Sequence, residues 1–278
     1  MELITFNIEG FHRNCFYLTQ LLTRHSPKLL FLQEIWVPYS SEQSLNEIFA
    51  DYSLQICTPD QFTNPEDRLS NPDHTWHGAA VMWHKSLNSN ILCLSNTNDR
   101  FTGVKIVMEG YQVLAISLYL PTSGKDEEFL DCIAELSIFI ADNKPDTGTV
   151  LIGTDSNCSE RSSARRIHAL HQFCEEHSLL KVCFSGPTFH HSNGCSVSNI
   201  DYFLVSCMSE SNLKSVSIQC KLNFPENLSS HDPVFSTLAI PCTGQACREE
   251  KYSHTYSEFK QARLCWKEEN LPHYKALA

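Results

Sequence analysis

Apolar residues fall along this chain in short runs separated by Gly, Pro, Asn and Ser, the spacing of a protein built from many brief strands. The runs LITFNI, LLFLQEI, GAAVMWH, NILCLS, VKIVME, YQVLAISLYL, GTVLIGTD, IDYFLV and VFSTLAI are rich in Val, Ile, Leu and aromatics and predict β-strands. Four intervening segments switch to an apolar spacing of three to four and predict helices: CFYLTQLLTRH, SEQSLNEIFADY, KDEEFLDCIAELSIFIADN and SARRIHALHQFCEEHS. In the third, Phe129, Ile133, Leu136 and Ile140 share one face, and Asp126, Glu127 and Glu128 sit at its start, where the helix dipole favours acids. Helices separate some strands while others follow each other directly. That mixture predicts a mixed α/β sandwich rather than a doubly wound parallel sheet.

The pattern fades near Pro241. Residues 1–241 therefore read as one domain, and 242–278 as a linker or partly helical tail with no evident core face. A chain of 278 residues with 42% hydrophobic content is globular rather than disordered. Its apolar runs are too short or too interrupted to span a bilayer, and MELITFNIEG lacks the basic start and long apolar run of a signal peptide. The 13 Cys are an odd count without a CxxC pair, which fits reduced, mostly buried thiols better than a disulfide framework or a zinc site. The expectation is an intracellular protein, nuclear or cytoplasmic, with no membrane partner.

Net charge is −11, and it is uneven. Six Lys/Arg and five Glu fall from Cys242 onward, leaving −12 on residues 1–241. Such a balance attracts nucleic acid poorly in bulk but suits a carboxylate site for a hard cation. A phosphate substrate then needs a local basic patch or a metal.

Candidate chemistry sits where strands end. Asn7 and Glu9 close the first strand, Glu34 the second, and Tyr119 closes AISLYLP. Asp155 and Asn157 follow TVLIGT, Asp201 opens IDYFLV, and His231 with Asp232 precedes the last strand. Singly, each is an ordinary turn, cap or rim residue. Together, the acids, Asn, Tyr and His supply the parts for metal-assisted phosphodiester hydrolysis: charge neutralisation, an activated water and a stabilised leaving oxygen.

These residues resemble the Mg²⁺-dependent endonuclease/exonuclease/phosphatase superfamily. The strings TFNIEG, FLQEIW, LYLP, IGTDSN, SNIDYFLVS and SSHDPVF match its motifs in order from Thr5 to Phe235. Narrower strings, NDRFTGVKI, TFHHSNGCSVSNIDYFLVS and the tail LCWKEENLPHYKAL with Trp266 and Tyr274, resemble the endonuclease domain of non-LTR (LINE-type) retrotransposon proteins. The resemblance implies a four-layer α/β sandwich of two mixed, mainly antiparallel sheets flanked by helices. It implies nicking of one DNA strand to leave a 3′-hydroxyl, and a reverse transcriptase domain C-terminal to this chain. The implied cofactor is Mg²⁺, with Mn²⁺ as a substitute.

By the same resemblance Glu34 and Glu9 hold the metal, and Asp155, Asn157, Asn7, His231, Asp201 and Tyr119 form the catalytic set. Which group takes the proton stays open, and Tyr119 and Ser198 read equally well as packing or capping residues. Arg161, Arg165 and Arg166, with Ser198, are the candidate substrate contacts, the alternative for the arginines being a solvated helix face. Arg100 in NDRF is similarly placed, without an assigned role. One position departs from the pattern. Ser230 stands where the family has an Asp before its His, and Asp232 follows His231 instead. Strand alternation points Asp232 away from the face of His231. A vacancy at Ser230 is thus favoured over a relocated ligand. The other readings are a phosphatase or DNA-end-processing phosphodiesterase of the same fold, and a catalytically weakened nucleic-acid-binding module.

Overall fold

The structure, a computed structural model, describes residues 1–62, 77–95, 97–182, 186–191, 197–206, 219–220 and 226–238. The tail expected from Cys242 lies outside them, with Trp266 and Tyr274. Fourteen strands are described: β1 Glu2–Asn7, β2 Leu29–Gln33, β3 Tyr52–Cys57, β4 Ala79–His84, β5 Ile91–Cys93, β6 Phe101–Met108, β7 Tyr111–Tyr119, β8 Gly148–Asp155, β9 Leu179–Lys181, β10 Phe189–His190, β11 Val197–Ser198, β12 Asp201–Ser206, β13 Gln219–Cys220 and β14 Val234–Thr237. The α-helices are α1 Phe11–His25, α2 Glu42–Ile48, α3 Asp126–Asn143 and α4 Ala164–Glu176. Among the described residues no helix is long and apolar enough to cross a membrane.

The strands form two six-stranded sheets, ordered β13-β14-β1-β2-β4-β3 and β5-β6-β7-β8-β12-β9, with β10-β11 as a separate ribbon. Among the described residues only β1–β2 and β7–β8 pair in parallel, so both sheets are mixed and mainly antiparallel.

Period-2 alternation divides the core into three layers. Leu30, Leu32, Ile4 and Phe6 face α1, whereas Leu3, Leu29, Phe31, Val113, Leu151 and Phe203 meet between the sheets. Leu114, Ile116, Ile152 and Leu204 face α3 and α4. The result is helix, sheet, sheet, helix. Central strands such as β2 and β8 are buried on both faces, which is why they read as continuous apolar runs.

Helix α1 starts four residues before the segment expected to open at Cys15. Phe11 anchors this extra turn by packing edge-on against Phe49. The predicted second helix ends at Ile48, and its last residue, Tyr52, instead opens β3, an edge strand absent from the expected set. Gln55 masks β3 in the sequence: this polar residue is buried because its amide donates to the Leu94 carbonyl at 2.6 Å.

Candidate active site

The face that builds the inter-sheet core turns polar at one edge of the sandwich. Along β1 the inward positions run Leu3, Thr5, Asn7; along β2, Leu29, Phe31, Gln33; along β8, Leu151, Gly153, Asp155. Register aligns their ends. Asn7 lies opposite Gln33, Tyr119 opposite Asp155, and Asp155 opposite Asp201, so the polar side chains emerge in rows on one face. Buried Gln33 ties the sheets together just below, donating toward Thr5 Oγ1, Ser117 Oγ and the Gly153 carbonyl at 3.1–3.2 Å.

Asn7 joins the two halves of the site. Its Nδ2 donates to Glu34 Oε1 at 2.8 Å and to Asp155 Oδ2 at 2.9 Å, while its Oδ1 accepts from the Glu9 amide at 3.1 Å. The Trp36 indole donates to the other Glu34 oxygen at 3.2 Å. Glu9 Oε2 accepts from the Ser230 amide at 3.0 Å and lies 3.4 Å from Ser230 Oγ. Asp155 Oδ1 accepts from the Asn157 amide at 3.0 Å, and the Asn157 side chain donates to the Leu120 carbonyl at 2.8 Å. Across from these, His231 Nδ1–H donates to both oxygens of Asp201 at 3.0 and 2.9 Å. That leaves Nε2 3.9 Å from Asp155 Oδ2.

Four of these residues sit in the left-handed backbone region: Glu9 at φ 43°, Glu34 at φ 52°, Trp36 at φ 49° and Asn157 at φ 44°. Such a conformation costs a side-chain-bearing residue about 1–2 kcal/mol. Its concentration at strand ends marks places where geometry is held for function. Gly10, at φ 95°, is required beside them, because a Cβ there would lie 2.6 Å from the Trp36 ring.

Burial dominates the electrostatics. Burial first, then the Asp201 charge, raises the Asp155 carboxyl to about 7, against the pull of His231, Asn7 and the Asn157 amide. Burial also raises Glu34, opposed by Asn7, His231 and a hydrogen bond from Tyr119. For His231 burial alone would favour the neutral ring. The charge and hydrogen bond of Asp201, followed by Asp155 and Glu9, overcome it and lift His231 to about 10. Burial and then the Glu34 and Asp155 charges push the Tyr119 phenol up, so it stays a hydrogen-bond donor.

The site thus brings together Asn7, Glu9, Glu34, Tyr119, Asp155, Asn157, Asp201, Ser230 and His231. The arginines behave differently from one another. Arg166 is 1% exposed, and its guanidinium donates to the carbonyls of Pro121, Thr122 and Asn157 while lying 4.1 Å from the Phe129 ring. It clamps the loops that follow β7 and β8, which corrects its assignment as a substrate contact. Arg165 is exposed but engaged by Glu127 at 2.5 Å. Arg161 lines an open groove with Lys125 and Ser163. Ser198 is a rung of the β10–β11 ribbon, its carbonyl accepting from the Thr188 amide at 2.9 Å.

The Asp232 carboxylate is engaged by His190, accepting from its Nε2 at 2.6 Å. Arg100 lies over the Tyr119 ring, 5.0 Å from its centroid, with Nη2 3.4 Å from His77. Sequence reasoning missed Trp36 and Ser229. Ser229 donates to the Asn7 carbonyl at 2.7 Å and accepts from the His231 amide at 3.1 Å. Both lie inside the quoted motif strings, so their position alone was the available signal.

Layer order and the acid–His edge define the endonuclease/exonuclease/phosphatase fold, and solved structures with that fold superpose on this chain. An AP endonuclease from Leishmania major aligns with a TM-score of 0.65 at 14% identity, covering 86% of this chain and 88% of its own. The endonuclease domain of TRAS1, a telomere-specific non-LTR retrotransposon, aligns with a TM-score of 0.59 at 13% identity, covering 85% and 97%. A 3′ phosphatase from Neisseria, solved with a product DNA hairpin, gives 0.58 at 16% identity, covering 86% and 99%. No family model and no curated protein matches the sequence. At these identities the likeness is one of fold.

Proposed function

We propose that this chain is a divalent-metal-dependent phosphodiester hydrolase that nicks one strand of DNA and leaves a 3′-hydroxyl. The observation that carries the reading is the convergence of Asn7, Glu34, Asp155 and the Asp201–His231 pair at one edge of both sheets.

The donor set fits a hard cation. Asp155, Asp201 and His231 bring one ligand atom each within 4.8 Å, but both Asp201 oxygens already accept from His231. Glu34 and Glu9 are partly open to solvent, and each Glu34 oxygen takes an N–H while keeping further lone pairs. These two glutamates would hold the ion. Mg²⁺, or Mn²⁺ in its place, supplies positive charge that offsets the phosphate oxygens and the leaving alkoxide.

The chain's own groups do the rest. Asp155, oriented by Asn7 and the Asn157 amide, accepts the proton of the attacking water. His231, held cationic by Asp201, directs Nε2 at the phosphate, and the Tyr119 hydroxyl supports an oxygen beside Glu34. Exposed Arg161 offers a phosphate contact on a groove where Lys125 is already paired with Glu128 at 3.2 Å. A reverse transcriptase domain beyond this chain belongs to the same reading and rests on the tail string alone.

Supercoiled plasmid tests it. Nicking is expected with Mg²⁺ or Mn²⁺ and none in EDTA, with Glu34→Ala and Asp155→Ala each losing about 10²-fold or more. Nicking that persists in EDTA would overturn the metal mechanism. The strongly acidic charge favours a second reading, an end-processing phosphatase or exonuclease that needs little contact with duplex. Such an enzyme leaves a closed circle intact but removes a 3′ phosphate from an oligonucleotide. A module weakened at Ser230 binds DNA and does neither.

A further inference from the structure

The ribbon β10–β11 grips the turn that carries His231. Its His190 amide donates to the Ser230 carbonyl at 2.9 Å, and the Asp232 amide donates to the Thr188 carbonyl at 2.7 Å. Consecutive side chains then alternate. The ring of Phe189, on one face of the ribbon, lies 4.7 Å from that of His231. On the opposite side His190 Nε2–H donates to Asp232 Oδ2 at 2.6 Å. The side chains of His190 and Asp232 are 15% and 4% exposed. Burying such a pair is costly unless the geometry is held, and it fixes register more than it stabilises. Thr188 adds a second constraint, since its hydroxyl accepts from the amides of Ile200 and Asp201 at 3.2 and 3.1 Å. One ribbon therefore touches both halves of the Asp201–His231 pair.

The geometry points to His190 and Asp232 as positioning residues, a second His–acid pair that locks the ribbon to the turn and keeps His231 Nε2 aimed at Asp155. This rests on the hydrolase reading for its catalytic consequence, but not for its structural one. It also gives the acid after His231 a role of its own. The acid is bonded behind the catalytic imidazole rather than displaced from a metal site in front of it.

The test uses the full chain with Asp232→Ala, Asp232→Asn and His190→Ala, read in two ways. In the parent, the Nδ1–H of His231 bonded to Asp201 gives a far-downfield proton resonance that needs no substrate. Asp232→Ala and His190→Ala are expected to shift or broaden it. They should also lower kcat for plasmid nicking by about 10- to 100-fold, as small misplacements of catalytic groups do, with KM and the Mg²⁺ requirement unchanged. Asp232→Asn keeps an acceptor for His190 and should recover most of both. If Asp232→Ala does not fold, His190→Ala removes the same bond from its more exposed side. An unchanged resonance with parental kcat would overturn the proposal, as would a loss that Asn fails to rescue. If the parent does not nick DNA, the resonance still decides, and only the hydrolase reading falls.

Discussion

Ser230 places its amide and hydroxyl on Glu9, at the position where a carboxylate before His231 was expected. With Asp232 committed to His190, the carboxylate missing at this position has no substitute from that side chain. Ser230→Asp should therefore lower the Mg²⁺ concentration for half-maximal nicking, because a hard cation gains an anionic oxygen. A variant that needs more Mg²⁺ than the parent would mean that the added carboxylate only repels Glu9. The residues across the cleft make a second, separate prediction. His231 titrates near 10 in the folded protein against an ordinary 6.5, because Asp201 overcomes its burial. A raised folded value stabilises the fold at low pH, and this contribution is lost as pH climbs through it. Asp155, raised to about 7, is half titrated at neutral pH and loses the small remainder of its own contribution within about a unit above it. Between pH 7 and 10, in EDTA, the melting temperature should thus fall by several degrees, at about 2–4 °C per kcal/mol for a domain of this size. His231→Gln should flatten that slope; an equally steep variant would show that other groups set it.

Elements matter here through how closely the sheets approach. Gly153 on β8 faces Phe31 on β2, and a Cβ at Gly153 would lie 2.5 Å from Phe31 Cβ and Cγ. Phe31 is fully buried and cannot swing aside, so Gly153→Ala forces the sheets apart just below the site. A cost of about 1–3 kcal/mol is expected, or roughly 3–10 °C in melting temperature, and unchanged melting would mean that the inter-sheet spacing gives easily. Much at this scale was legible. Every predicted strand is present because half- or fully buried strands write their period directly into the sequence. The acids and amides at their ends were legible for the same reason, since register carries them to one edge. Some edge and short strands were not: β3 hides behind Gln55, and β9, β10 and β11 are two or three residues long, although the edge strand β5 was found from NILCLS. The His190–Asp232 bond joins residues 42 apart through a ribbon of such strands, so no local pattern announces it. Arg166 misled because three arginines near one another look like a surface patch, and only packing shows that one of them is a buried clamp.

At the scale of the whole molecule, the question is where the cooperative unit ends. β14 returns to pair with β1, and the first and last described residues close on each other: the Met1 amine donates to the Leu238 carbonyl and the Leu238 amide to the Met1 carbonyl, each at 2.8 Å. Leu238 itself is buried in the layer between the sheets, against the same cluster as Leu3 and Val234. Leu238, three residues before Pro241, therefore belongs to the inter-sheet core. Residues 242–278 carry six basic and five acidic side chains and so add little to a body bearing −12. Deleting them should leave the melting temperature within about 2 °C of the parent's, under 1 kcal/mol for a domain of this size, and plasmid nicking intact. A drop well beyond that would assign the tail a packing role against the sandwich. Lost nicking with unchanged melting would instead make the tail part of the DNA-binding surface, through individual Lys/Arg contacts rather than net charge.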